Sequence, residues 1–141
     1  MSTDDRLELS PRKNEYIKFL DGKTGPTKTN DIAAGFGVDP STITKTVVEL
    51  AEEGFVDYVP YHGVVLSAKG KTAAEFLVKR HRILALALTH FGLSREDACR
   101  EVSKFESFVS KNTIDQMCRA MGHPNRGICG DITHDEGCLR M

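Results

Sequence analysis

Asp39-Pro40-Ser41-Thr42-Ile43-Thr44-Lys45-Thr46-Val47-Val48-Glu49-Leu50 is the stretch whose reading decides the fold. Asp39 suits a helix N-cap, and Pro40 suits the first helical position, where a missing N–H costs nothing. Ile43, Val47, Leu50 and Ala51 recur at i, i+4, i+7 and i+8, which predicts one buried stripe. Ser41, Lys45, Val48 and Glu49 then stand on the opposite face, with Thr42 at its edge. Small hydroxyls and one long cation on an exposed helix face can reach base edges and phosphates without steric conflict. Upstream, Asn30 is placed to cap a short helix, Asp31-Ile32-Ala33-Ala34-Gly35-Phe36, and Gly37 supplies the tight turn. That order is a helix-turn-helix pattern. Downstream, Gly54-Phe55-Val56-Asp57-Tyr58-Val59-Pro60, Tyr61-His62-Gly63 and Val64-Val65-Leu66 read as a β-hairpin, the wing of a winged helix. Helix pairs that merely pack are common; the hairpin in this position turns the reading toward DNA, with Asp39, Ser41, Thr42 and Lys45 as the contact residues.

The rest of the chain sets the bounds. Its 141 residues suffice for one or two small domains with a real core, and 40% hydrophobic and 28% charged residues are ordinary for a globular protein. The net charge of −1 does not advertise a nucleic-acid binder, so any DNA surface depends on local placement of cations. No apolar run approaches a membrane span, and the N-terminus Met1-Ser2-Thr3-Asp4-Asp5 is acidic and polar. A cytoplasmic location follows as the expectation, and with it a reading of the four cysteines as thiols or metal ligands, not disulfides. No phosphate loop, dinucleotide fingerprint or nucleophile motif argues for an enzyme.

Ser10-Pro11 opens a helix through Leu20, with Tyr16, Ile17, Phe19 and Leu20 on its buried side. Glu15 falls near its start, where position alone favours a solvated acid. Ser67 caps a long helix to about Phe91, along which Leu77, His81, Leu84 and Leu88 form a stripe. A lone histidine in such a stripe is more often a satisfied core residue than a ligand. Ser94 begins a helix to about Phe108 with Ala98, Val102, Phe105 and Val109 buried. Cys99, Ser103 and Glu106 stack along its border, able to turn together toward a neighbour. Ser110 caps a last helix, Lys111 to Met121, stopped by Gly122. Residues 123–141 are rich in Gly, Asp, His and Cys without periodicity. The fold class is therefore mainly α. A winged helix-turn-helix with a small β-hairpin spans residues 1–70, an α-helical domain spans 71–122, and a Cys/His-containing tail spans 123–141.

With these pieces in line, the sequence resembles the diphtheria-toxin-repressor/manganese-repressor family of metal-dependent transcriptional regulators, in its short form without the SH3-like domain. The matching residues are Glu15-Tyr16-Ile17, Val38-Asp39-Pro40-Ser41-Thr42-Ile43-Thr44-Lys45, Gly63-Val64-Val65-Leu66-Ser67-Ala68-Lys69-Gly70, Arg80-His81-Arg82 and Phe105-Glu106, in family order over residues 10–122. The resemblance implies a homodimer that binds a palindromic double-stranded operator, with metal held where a DNA-binding and a dimerisation domain meet. It implies His81 and Glu106 as ligands, Cys99 at a position that is histidine in iron-type members, and Glu15 where the first helix supplies a ligand. Metal would then tie Glu15 to His81, Cys99 and Glu106 and set the spacing of two recognition helices near one DNA turn, about 34–36 Å. Ala85, Ser103 and Ser107 depart from the family's ligand types, so at least one family site is depleted.

A mixed O/N/S site of Glu15, His81, Cys99 and Glu106 suits Fe(II) first, with Zn(II) or Mn(II) as alternatives. The tail adds a second candidate metal or cluster site in Cys118, His123, Cys129, His134 and Cys138. Of these, Cys129 and Cys138 are expected to bind, with His123 or His134 as partners. Cys118, beside Met117 and Met121, is better read as core. Two other readings stand beside the metal-dependent repressor: an iron–sulfur or redox sensor using the C-terminal cysteines, and a winged-helix protein-interaction module with structural zinc.

Overall fold

The computed structural model of the chain describes residues 9–139. The described chain divides into two bodies, Ser10–Ala74 and residues 75–139, the second also taking in Leu9.

In the first body, α1 (Pro11–Asp21) is capped by Ser10, whose Oγ accepts from the Lys13 N–H at 3.2 Å. It buries Tyr16, Ile17 and Leu20. Helix α2 (Thr29–Phe36) starts earlier than an Asn30 cap would allow. The Lys28 carbonyl closes its first turn by accepting from Asp31 and Ile32, so no side-chain cap is used. Gly37 ends it at φ +65°, in the left-handed region where glycine carries no Cβ penalty. Helix α3 (Pro40–Glu52) follows with Asp39 at the cap position. Asp39 caps with its main-chain carbonyl, which accepts from Thr42 and Ile43; its carboxylate makes no cap bond and stays exposed. Ile43, Val47 and Leu50 are buried as their spacing predicts, and Thr46 joins them, its hydroxyl donating to the Thr42 carbonyl at 3.4 Å. Ser41, Thr44, Lys45 and Val48 face out.

Strands β1 (Val56–Val59) and β2 (Gly63–Leu66) form the antiparallel wing, in register Val56↔Leu66 to Val59↔Gly63. An isolated bridge pairs Thr27 with Val64, tying the segment before α2 to the wing. Gly63 is required there: its φ is +117°, and a Cβ would sit 2.3 Å from the Thr27 carbonyl oxygen.

Helix α4 (Ala68–His90) begins in the first body and runs from Glu75 onward in the second. Ser67 starts it, its Oγ accepting from Gly70 N–H and donating to the Gly54 carbonyl. Gly70 allows the first turn to pass Phe55, whose carbonyl oxygen lies 2.0 Å from where a Cβ would be. The second body continues with α5 (Arg95–Phe105), a 3₁₀ turn (Glu106–Phe108), α6 (Lys111–Ala120) and the short α7 (Glu136–Leu139). Its core joins Ile83, Leu84, Ala85, Ala98, Val102, Ile114, Cys118, Ile132 and Cys138. Ser94 and Ser110 cap α5 and α6 as expected.

One expectation fails here. Helix α5 stops at Phe105, not Phe108, and tightens to three residues per turn, which advances the phase of the following side chains. Phe105 and Phe108 are left exposed, at 38% and 80%, while Glu106 turns inward at 6%. No helix among the described residues is long and apolar enough to cross a membrane.

Candidate metal centre

Two groups of donor side chains converge in the second body. The first unites His81, Cys99 and Cys129, one donor atom from each lying within 4.8 Å of the others. The second unites Cys118, His123, His134 and Cys138 by the same measure.

His81 comes from the middle of α4 and is half-buried. Its Nδ1 lies 2.5 Å from Glu106 Oε2, within a charge-assisted hydrogen bond. Glu106 stands four residues after the buried Val102, at the start of the 3₁₀ turn, and its carboxylate is buried with it. Beside it, Arg80 is fully buried on α4, and its guanidinium donates to the Val109 carbonyl at 3.3 Å. Burial pushes the Arg80 guanidinium below its ordinary value, while the Glu106 carboxylate works the other way. A buried cation next to a buried carboxylate restrains both. Glu106 is not among the donors that gather with Cys99 and Cys129. Glu106 thus engages one ring nitrogen of His81, Nδ1.

Cys99 lies on α5, one turn before Ser103, whose hydroxyl donates back to the Cys99 carbonyl at 2.9 Å. The Cys99 Sγ stands 2.7 Å from Cys129 Sγ, and both cysteines are free of disulfides. Cys129 reaches this place on a tight turn: Gly127 N–H donates to the Gly130 carbonyl at 2.8 Å, and Arg126 bridges to Asp131. Arg82 on α4 clamps the turn by donating to the Asp131 carbonyl. Gly130, at φ +147°, leaves room for that guanidinium, 2.7 Å from where a Cβ would sit.

The second group is more deeply buried. Cys118 on α6 and Cys138 on α7 are both 0% exposed. His123 follows Gly122 at φ +51°, a left-handed residue turning the chain back after α6. Its Nδ1 lies 3.4 Å from Cys118 Sγ and 3.6 Å from Cys138 Sγ. His134 Nδ1 lies 3.3 Å from Cys118 Sγ, and the two rings meet edge-on with centroids 5.5 Å apart. Asp135 Oδ1 accepts from the Cys138 N–H at 2.7 Å, and Lys111 holds both Asp135 and Asp115. Burial pushes the Cys118 thiol up to about 11, with the neighbouring Cys138 adding to the rise and the Lys79 ammonium opposing it.

The structure therefore distributes the residues named from the sequence differently than anticipated. Cys129 stands with Cys99, not with the tail group, and Cys118 belongs both to the core and to the second group. Glu15 is exposed on α1 in the first body. Ala85 is wholly buried in the core, and Ser103 is exposed and bonded within its own helix. The four cysteines fall into two pairs, Cys99 with Cys129 and Cys118 with Cys138. The meeting of Cys129 with Cys99 was missed in the sequence; the turn composition Gly127-Ile128-Cys129-Gly130 was its only local signal.

In the first body, Thr42, Lys45, Thr46 and Glu49 line an open cleft with Ser10, Arg12 and Lys13. Lys13 is tied to Glu53 at 2.5 Å and Glu49 at 3.3 Å, and the Glu53 hydrogen bond raises its affinity for its proton against desolvation. Arg12 is exposed and was not singled out from the sequence.

Residues 8–64 match the family described as "Iron dependent repressor, N-terminal DNA binding domain". Residues 67–134 match "Iron dependent repressor, metal binding and dimerisation domain". The HTH-type transcriptional regulator MntR of Geobacillus kaustophilus is 34% identical over 111 residues, 77% of this chain and 79% of that protein. The transcriptional regulator MntR of Escherichia coli O6:H1 is 34% identical over 110 residues, 78% of this chain and 71% of that protein. Among solved structures, a hypothetical protein from Sulfolobus solfataricus superposes with a TM-score of 0.78 at 26% identity, over 89% of this chain and all (100%) of that one. A manganese-dependent transcriptional repressor in complex with manganese does so with a TM-score of 0.68 at 26% identity, over 88% of this chain and 63% of that one.

Proposed function

Because this chain belongs to the iron-dependent repressor family and is a metal-dependent transcriptional regulator, we propose that His81, Cys99 and Cys129 hold its regulatory metal, with Glu106 fixing the His81 ring. The observation that carries this reading is the convergence of those three donors beside the 2.5 Å His81–Glu106 contact. A carboxylate on the outer nitrogen of a ligating imidazole sets its tautomer and strengthens it as a donor. When bound, the ion supplies positive charge and a cross-link between α4, α5 and the Gly127–Gly130 turn. Two thiolates and an imidazole form a soft donor set, which favours Fe(II) or Zn(II) over Mn(II). Three protein donors leave a coordination position open, as suits a site whose occupancy changes.

The protein acts as a homodimer on a palindromic operator in the cytoplasm, and it is not an enzyme. Phe91 and Phe108 in the second body, 81% and 80% exposed, support self-association through apolar surface. Ser41, Thr42 and Lys45 read DNA from α3, joined by the exposed Arg12 at the edge of the same cleft. The deciding experiment selects DNA from a random-sequence pool with the full chain. Affinity for the winning duplex is then measured under Fe(II) without oxygen, Zn(II), Mn(II) and chelator. A metal-dependent change in affinity that Cys99→Ser and His81→Ala both abolish supports the reading; a change that survives both variants sinks it.

A further inference from the structure

We propose that Cys118, His123, His134 and Cys138 form a second, structural metal site that takes one tetrahedral zinc(II) ion and locks the C-terminal segment onto α6. The reading stands independently of the regulatory site, with which it shares no residue.

The geometry is that of a single ion. Zinc–sulfur and zinc–nitrogen bonds of ordinary length put adjacent sulfur and nitrogen donors about 3.6 Å apart at the corners of a tetrahedron. Three of the four sulfur–nitrogen separations are 3.3, 3.4 and 3.6 Å, and all four donor atoms lie within 4.8 Å of one another. The hydrogen bonding of His134 agrees. Its Nε2 faces the Pro124 carbonyl at 3.1 Å. A carbonyl only accepts, so Nε2 carries the proton and the Nδ1 lone pair is aimed at Cys118.

The donors also come from segments that need a cross-link. Helix α7 spans four residues, too short to hold itself together. The segment between Gly122 and α7 contributes Ile132 to the core and little else that is fully buried. Binding replaces the two thiol protons by one dication, leaving two thiolates, two neutral imidazoles and no net charge in a buried site. Such a site is closed by four protein donors and keeps no position for substrate or exchangeable ligand.

The test uses the full chain carrying Cys99→Ser and Cys129→Ser, which removes the thiolates of the other group, stripped of metal and titrated with cobalt(II) and then zinc(II). The expected result is a sulfur-to-cobalt charge-transfer band with the intense visible bands of tetrahedral cobalt, bleached by roughly one equivalent of zinc per chain. In this background Cys138→Ser should remove about half of the charge-transfer intensity, and His134→Ala should weaken cobalt and zinc binding by at least about 10-fold. His134→Ala guards against a variant that fails to fold, since His134 is only half-buried. Zinc should also slow tryptic cleavage after the exposed Arg126, which lies inside the loop the metal closes. Absence of thiolate bands, equal zinc uptake by parent and Cys138→Ser chains, or cleavage at Arg126 indifferent to zinc would each overturn the site.

Discussion

His81, Cys99 and Cys129 come from a long helix, a second helix and a turn, whereas Cys118, His123, His134 and Cys138 all lie between α6 and the end of the described chain. The first group is half-buried throughout; in the second, both cysteines are sealed from solvent. The first has three donors and a carboxylate behind its histidine, and the second has four donors with a backbone carbonyl behind one of its histidines. Identical residue types thus lead to different chemistry. Three accessible donors spread across the fold suit an ion that comes and goes and shifts a conformational equilibrium. Four donors within a short stretch, two of them sealed from solvent, suit an ion that stays and contributes to folding.

The strongest way to break this contrast is Cys138→Ser. With zinc present, its loss should lower the melting temperature by on the order of 10 °C, because a structural ion contributes folding free energy directly. With chelator present, parent and variant should melt much closer together. Calorimetry of both proteins under both conditions decides it. Cys99→Ser should behave oppositely: its chelator-state melting temperature should stay near the parent's, while affinity for the regulatory ion falls by at least about 100-fold. Competition against a metal-sensitive dye measures that loss, and a parental affinity would remove Cys99 from the site.

Glu106→Gln sharpens the assignment of a single residue. If the carboxylate orients His81, affinity should fall roughly 10-fold with the number of bound ions unchanged. Glu106→Ala should cost stability besides, since Arg80 would stay buried beside an empty position. The smallest effect belongs to Lys45→Ala, which should leave both metal stoichiometries intact, weaken DNA binding and lower the salt slope by about 1. Anisotropy titrations over a range of salt concentrations read this directly, and an unchanged slope would take Lys45 off the phosphate backbone.

The winged-helix body was legible in the linear chain because its determinants are local. Stripe spacing in α3, the glycine at 37 and the hairpin around Gly63 each act within a few residues. Even so, Asp39 supplies its cap through the backbone, and Thr46 enters the core by donating its hydroxyl one turn back, two choices that helical spacing alone does not register. The donor groups were legible by residue type and not by partnership. Cys99 and Glu106 looked equivalent on one helix border, yet Cys99, inside α5, meets Cys129, while Glu106, at the start of the 3₁₀ turn, meets His81.

The amino-acid sequence alone determined a mainly helical, winged DNA-binding body followed by a helical body, and a supply of Cys, His and Glu donors for metal. Those properties rest on periodicity, capping and side-chain chemistry, all of which operate over one or two turns. Tertiary structure decided which donor meets which. Cys129 lies 30 positions from Cys99, and Arg82 lies 49 from the Asp131 carbonyl it holds. Such pairings come from the way the segment after α6 folds back over its own core, and no short-range pattern in the chain encodes that return.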